Sequence, residues 1–342
     1  MPKSSSLLSY VITRVFLSLP MLLILLTVVF FVLRVIPGDP ITALFEGRAS
    51  PDVIAATRHA LGLDKPYWEQ YLIYLGQVFT GNLGTSIGEY YRGQSVLAVV
   101  LQRLPATVEL AVGGMIIASL VGVTAGVIGG INRDKPADVA VRLYGTIIFV
   151  VPIFWLGQIL QLVFAVWLGW LPAQSRFSGL DLPTHITGLY TFDSLLQGRI
   201  DKFFVAIQHL ILPSLTLGLV LSGFFTKTVR ANLLRTINSD YVEAAKARGI
   251  STGRIITRYA LKNALIPVVT VLGLQFAILF AGAVLTEQTF SWNGMGSLLL
   301  LAINSQDYPV IQGAIIVYAF IIVIISVIID LINGLIDPRV RY

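Results

Sequence analysis

The sequence predicts an all-α polytopic membrane protein with six transmembrane helices, on three observations. Of its 342 residues, 56% are hydrophobic and only 12% charged, about half the charged share of an ordinary soluble domain. The mean hydropathy of +0.81 leaves too little polar surface to cover a soluble core of this size. Apolar runs long enough to cross a bilayer, roughly 20 residues each, recur between short polar segments. In a soluble protein this length would suggest two domains, but that prior does not carry over to a polytopic chain.

Taken in order, Lys3 and Arg14 precede an apolar run over residues 15–33. It is too long for the apolar core of a signal peptide, about 7–15 residues, and no small-x-small site follows. An uncleaved first span is expected, ended by Pro37-Gly-Asp-Pro40. Residues 42–103 turn mixed in composition, with an aromatic cluster (Tyr67, Trp68, Tyr71, Tyr74) and the glycine-rich Gly81-Asn-Leu-Gly84. They read as a small extramembrane domain of two or three short helices. Residues 95–104 read as an interfacial helix, and Pro105 as the opening of a second span over 106–130. Gly113, Gly114, Gly122, Gly126 and Gly129 in that span favour close helix approach. After the polar turn 132–138, a third span covers 139–170, broken or kinked near Pro152 and anchored by Trp167 and Trp170. The polar excursion 171–202 has no readable structure. A fourth span over 203–226 contains Pro213, and the fifth and sixth cover 264–286 and 310–332.

Between the fourth and fifth spans lies a polar, small-residue stretch, Asn238 to Arg254. Asp240 followed by Glu243 reads as a capping box, opening a helix from Tyr241 to Arg248. Gly249 is placed to take the left-handed conformation that stops a helix. Ser251 then caps a second helix running through Tyr259 towards Pro267. The stretch reads as helix, glycine corner, helix, with Ala244, Ala245 and Ala247 small enough to let another protein approach closely.

Orientation follows from lysine and arginine. With the N-terminus inside, fifteen of the 24 fall in inner segments, eight of them between Lys227 and Lys262. The other nine are spread over longer loops, so the positive-inside rule places the Asn238–Arg254 stretch and both termini in the cytoplasm. Absence of cysteine removes disulfide and thiolate chemistry. The charge of +6 is not interleaved with base-stacking aromatics, so no nucleic acid partner is expected; the partner of most of the surface is the lipid bilayer.

The residues that would carry chemistry are missing. No Gly-Lys dipeptide occurs, which excludes a Walker A phosphate cradle. His59, His185 and His209 lie far apart, without metal-ligand spacing. Ion-driven carriers place ionisable groups at mid-membrane, whereas Glu109, Glu287 and Asp330 sit near span ends and are expected to face water or a partner. A secondary carrier or channel is the competing class, and it lacks this signature. Gln158, Gln161 and Gln275 either line a path or hydrogen-bond between helices; Pro152 and Pro213 are kinks or hinges. These five are the candidate pathway or gate positions. A transporter without a motor, but with an exposed cytoplasmic helix, points to a separate motor protein.

At this point residues Glu243-Ala-Ala-Lys-Ala-Arg-Gly249 and Asn263-Ala-Leu-Ile-Pro267 resemble the EAA loop of the permease subunits of bacterial ABC importers. Arg34-Val-Ile-Pro-Gly-Asp-Pro40, Arg103-Leu-Pro-Ala-Thr-Val-Glu-Leu110, His209-Leu-Ile-Leu-Pro213 and Asp337-Pro-Arg-Val-Arg341 resemble the dipeptide/oligopeptide branch. The resemblance implies a type I ABC importer permease fold. Residues 1–104 would form the first span plus an extracytoplasmic domain, 105–335 the permease core with the EAA loop 238–267, and 336–342 a cytoplasmic tail. It implies that Asp240, Glu243, Ala244, Ala245, Arg248 and Gly249 couple to a cytoplasmic ATPase. The implied partners are a second homologous permease, two ABC ATPase subunits that use ATP and Mg, and an external substrate-binding protein, at the cell inner membrane. The chain itself would bind no cofactor and catalyse no reaction. Peptides are the implied cargo, with nickel, glutathione or oligosaccharides carried by close relatives of the branch. The excursion 171–202 is longer than the family pattern.

Overall fold

The structure, a computed structural model, describes residues 7–35, 50–60, 62 and 64–336. The Pro37–Pro40 segment, Lys3 and the 337–342 tail lie outside these. The described chain is helical: α1 (Leu7–Val35), α2 (Pro51–Ala60), α3 (Tyr67–Phe79), α4 (Val96–Ile131), α5 (Pro136–Val150), α6 (Ile153–Leu160), α7 (Tyr190–Leu196), α8 (Ile200–Ile237), α9 (Asp240–Ala247), α10 (Thr252–Arg254), α11 (Leu261–Thr289), α12 (Met295–Asn304) and α13 (Tyr308–Ile336). Wider π turns continue α6 over Gln161–Trp167 and join α10 to α11 over Ile255–Ala260. Among the described residues the extended backbone pairs only as an isolated antiparallel bridge between Thr85 and Ser95.

Five stretches are long and apolar enough to cross a membrane: Ile12–Val32, Val96–Ile131, Ile200–Ile237, Thr252–Gly273 and Tyr308–Ile332. The sixth expected span is a pair, Pro136–Val150 and Ile153–Trp167, bent by 104°. Its cause is local. Pro152 disfavours helical backbone in the residue before it, and Val151 is accordingly extended at φ −65° and ψ 127°.

The chain packs as two units. One comprises Ile12–Pro105 with Asn293–Ile324. Its core joins Leu22, Leu26 and Phe30 of α1 to Tyr74 and Val78 of α3 and to Ile316 and Ala319 of α13. The expected aromatic cluster divides: Tyr71 and Tyr74 turn onto Phe30, with the Phe30–Tyr71 ring centroids 5.3 Å apart, whereas Tyr67 and Trp68 are exposed. Buried Asp307 accepts from the Ser86 hydroxyl and the Ile87 amide, which ties the 85–95 bridge segment to the start of α13. Residues 95–104 are not a separate interfacial helix, and Pro105 does not open the span: both belong to the unbroken α4. The reason is burial of Val96, Val99 and Val100 against Met295, Leu298 and Ala302. Three buried valines, at about 1.5–3 kcal/mol each, outweigh the cost of an interior proline, about 3 kcal/mol.

Of the described residues, the other unit comprises Ala106–Trp292 with 7–11 and 325–336. Here α4 meets α8 along Gly114, Gly122, Gly126 and Gly130, spaced by multiples of four so that they share one face. A Cβ on Gly126 would stand 2.6 Å from Val229 Cβ and 2.9 Å from the Thr226 carbonyl oxygen. From the facing side, a Cβ on Gly218 would stand 2.6 Å from Ile117 Cβ. On another face of α8, Gly223 lies against Gly145 and Ile148 of α5. The approach that small residues permit in lipid is thus realised on two faces of α8, and Phe225 and Val229 close the core with Ala118 and Val268.

Candidate functional site

The Asn238–Arg254 stretch folds as a helix, a glycine corner and a second helix, with two corrections. The N-cap is Ser239, extended at φ −89° and ψ 151°, and Asp240 is the first helical residue. Neither cap makes a side-chain hydrogen bond to the helix start; the Ser239 hydroxyl donates back to the Thr236 carbonyl, binding the cap to the end of α8. Asp240 and Glu243 then lie in the first turn, where carboxylates complement the helix dipole. At the other end Gly249 has φ +69°. Its amide bonds the Lys246 carbonyl at 2.9 Å and the Ile250 amide bonds the Ala245 carbonyl at 3.2 Å. This is the Schellman pattern, in which an apolar contact accompanies the two bonds. That contact is present: Ile250 packs on a small core of Val242, Ala245 and Ile255.

Ala245 is therefore buried inside the corner and does not offer a surface, while Asp240, Glu243, Ala244, Ala247, Arg248 and Gly249 are exposed. The second helix runs past Pro267. It continues through the π segment and into α11 as far as Thr289, so corner and span are one element. Tyr241 and Asn263 clasp the two arms: the Asn263 amide donates to the Tyr241 hydroxyl at 2.9 Å and to the Tyr259 carbonyl at 3.2 Å.

Two turns before its end, α8 carries Arg230, which forms a bidentate pair with Asp138 at the start of α5. Nε donates to Oδ1, and Nη2 donates to Oδ2 at 2.7 Å. The Asp138 side chain is 0% exposed. It also accepts from the amide of Asp134, which takes a left-handed φ of 62° in the polar turn, and Arg142 stands 3.7 Å away.

At the other end of α8, the unreadable excursion 171–202 is ordered by long-range bonds. Glu109, 5% exposed, pairs with Arg176, 11% exposed, at 2.7 Å. It also accepts from the amide and hydroxyl of Thr191. The Arg176 guanidinium lies 4.0 Å over the Tyr190 ring. Asp193 accepts from the Thr187 hydroxyl and from the amides of Ile186, Thr187 and Gly188. Burial acts to raise its pKa, but these bonds outweigh burial and hold the carboxyl below its ordinary value. His209 donates from Nδ1 to the carbonyls of Gln174 and Ser175, and Lys202 reaches Asp181 and the Leu182 carbonyl. Glu109 and Glu287 are thus buried rather than facing water; Glu287 accepts from the Thr107 hydroxyl.

The candidate pathway residues do not converge. The Gln161 amide donates to the carbonyls of Ala173 and Thr289, so it is a bond between segments. Gln158 is exposed, Gln275 is buried, Pro152 marks the bend, and Pro213 is buried within α8. Among the described residues, no three His, Cys, Asp or Glu side chains are grouped to hold a metal ion. Sequence reasoning missed Arg176, Asp193, Asp138, Arg230 and the Tyr241–Asn263 clasp. Only Glu109, an ionisable residue inside an apolar run, signalled that a buried partner was needed.

The profile of the family described as "Binding-protein-dependent transport system inner membrane component" matches residues 120–342, and that of its N-terminal region matches residues 7–111. The chain is 40% identical to the dipeptide transport system permease protein DppB of Alkalihalophilus pseudofirmus, over 98% of this chain and 100% of that protein. It is 40% identical to the di/tripeptide transport system permease protein DppB of Pseudomonas aeruginosa, over 98% and 99%. Against the dipeptide transport system permease protein DppB of Escherichia coli the identity is 36%, again over 98% and 99%. With both profiles matched and relatives covered end to end, this chain belongs to the family of binding-protein-dependent transport system inner membrane components.

Proposed function

We propose that this chain is the membrane-spanning permease subunit of an ATP-driven importer of di- and oligopeptides, and that the Ser239–Gly249 corner is where a cytoplasmic ATPase subunit docks. The observation that carries the reading is the corner itself. It is an exposed eight-residue helix whose N-cap is bonded to α8 and whose second residue, Tyr241, is clasped to Asn263 of α11. Any push on it acts directly on two candidate spans. The peptide cargo is supported by the names of the relatives matched over their whole length. Peptides carry charges and backbone polar groups that lipid excludes at several kcal/mol each, so a path opened transiently between subunits suits them.

In this reading the bent pair Pro136–Val150 and Ile153–Trp167 counts as one of six spans, and both termini are cytoplasmic. Residues 42–103 lie outside as a small domain. A homologous permease completes the pathway, two ATPases hold all the ATP and Mg, and an external binding protein delivers cargo at the cell inner membrane. Asp240, Glu243, Ala244, Arg248 and Gly249 present the docking face, and Ala245 shapes it from beneath. Gln158, Gln275, Pro152 and Pro213 are the remaining pathway candidates.

The test is reconstitution of the full transporter with uptake of labelled dipeptides. Wild-type uptake and binding-protein-stimulated ATP hydrolysis are expected, and both are lost in Gly249→Val or in Glu243 and Ala244 replaced by bulky residues. Full coupled activity in those variants would sink the docking assignment. Because the chain has no native cysteine, one placed at Ser251 reports topology cleanly. Labelling of it from outside intact cells would overturn the orientation.

A further inference from the structure

We infer that Asp138 and Arg230 are positioning residues for transport: their buried ion pair makes α5 and the 132–138 turn move with α8 when the corner is displaced. The inference rests on the docking reading above, and three observations carry it. First, α8 is unbroken from Ile200 to Ile237, and the residue that caps the corner helix bonds back onto its last turn. Arg230 sits seven residues before that end, roughly 10 Å away along the axis, so a displacement entering at the corner arrives at Arg230 undiminished.

Second, α8 is packed closely on both sides at this level. Gly126, Gly129 and Gly130 of α4 face Val229, Arg230 and Leu233, while Gly145 of α5 faces Gly223 and Lys227. Val229 and Leu233 seat on the α4 glycines, Ile148 seats on Gly223, and the Tyr144 and Ser222 hydroxyls bond across α5 and α8, so contacts roughly one to three turns above the polar turn hold the helices side by side. The bidentate pair adds a directional tie at the start of α5, because two parallel N–H···O bonds tolerate little translation. Third, Asp138 is fully enclosed, and its remaining contacts are the Asp134 amide and the Arg142 guanidinium. The carboxylate thus binds the polar turn, α5 and α8 at one point. A charge so enclosed is costly to leave unpaired, and sliding that separated it from Arg230 would be opposed.

The experiment uses the complete transporter in nanodiscs with its ATPases, partner permease and binding protein. It reads ATP hydrolysed per peptide imported in Asp138→Asn and, separately, in Arg230→Lys. The expected result is assembly at wild-type yield, ATP hydrolysis retained, and a rise of about fivefold or more in ATP per peptide, the lower end of ordinary coupling energies. Spin labels at Arg133 and Arg235, both exposed, give the second readout. Their separation should be the same in the nucleotide-free and ATP-trapped wild type, and should shift between those states in Asp138→Asn. A wild-type ratio with an unshifted separation overturns the inference. So does failure of both variants to assemble, which would make the pair purely structural. Ala244→Arg in the same preparation separates the two readings: if it leaves coupling intact, the docking assignment fails, whatever Asp138→Asn does.

Discussion

The two ends of α8, roughly 55 Å apart at 1.5 Å per residue, are held by opposite means. At its start, the 171–202 excursion is tied down by buried charge and by polar bonds reaching far along the chain: Arg176 to Glu109, Thr191 to Glu109, His209 to the 174–175 carbonyls. At its finish, the corner is held by one left-handed glycine, a four-residue apolar contact and a single tyrosine–asparagine clasp. The first arrangement is expensive to break and leaves its polar side chains occupied within the chain. The second is light and leaves its charged side chains, Asp240, Glu243, Lys246 and Arg248, exposed on the surface. A part that must meet another protein and move with it suits the second design; a part that must keep its shape suits the first.

The contrast is sharpest in the expected cost of single substitutions. Arg176→Ala should be the most damaging, about 3–5 kcal/mol, because it strands the buried Glu109 carboxylate. Thermal unfolding in nanodiscs would show it, and hydrogen exchange should rise across 171–202 while the corner stays unchanged. If exchange rose equally at both ends, the two would not be independently held. Asp193→Ala follows at about 1–3 kcal/mol, since it leaves the buried Gly188 amide and the part-buried amides of Ile186 and Thr187 without their acceptor.

The same carboxylate gives a pH dependence with a definite sign. Its folded pKa is depressed, so its contribution is fully present above the ordinary carboxylate value, about 3.9. It is lost as the pH falls below that and through the folded value. Proteolysis of the excursion should accelerate only in that acid window, and acceleration already at pH 6 would contradict the assignment.

At the corner the expected effects are smaller. Gly249→Ala meets no atom within 4 Å, so its cost is conformational alone, about 1–2 kcal/mol for a Cβ in the left-handed region. Tyr241→Phe removes an exposed hydroxyl that accepts from Asn263 at 2.9 Å and donates to the Tyr259 carbonyl at 3.5 Å, about 0.5–1.5 kcal/mol, and should loosen exchange in α9 without touching the excursion. A loss above about 3 kcal/mol from either would mean that the corner is a structural keystone like the other end, and the contrast would collapse.

What could be read from sequence follows the same division. The corner was legible because local rules govern it: a serine or aspartate before the helix, a glycine after it, alanines between. Even there the cap was displaced by one residue, since Ser239 and Asp240 are both good caps and only the backbone separates them. Ala245 reads as surface from sequence because Ile255, which helps to bury it, lies beyond the corner. The straight spans were legible from their apolar runs, but the 104° turn at Pro152 was not, because proline announces a break without its angle. Pro105 misled because the valines that keep α4 helical before it are buried by residues nearly two hundred positions later. The excursion was opaque for much the same reason: Glu109 announces a need for a partner, but Arg176 lies 67 residues away and carries no local sign of it.

The row of glycines on α4 imposes a one-way constraint on how this protein can vary. Every substitution of glycine adds atoms, so no single change on that row can bring α4 and α8 nearer; it can only wedge them apart. Compensation has to come from α8, by trimming Val229 or Leu233, the side chains that the glycines accommodate. Variation at this contact should therefore arrive in pairs, a gain of volume on one helix matched by a loss on the other. A chain carrying the first change without the second would be a poorly assembled intermediate between two workable ones.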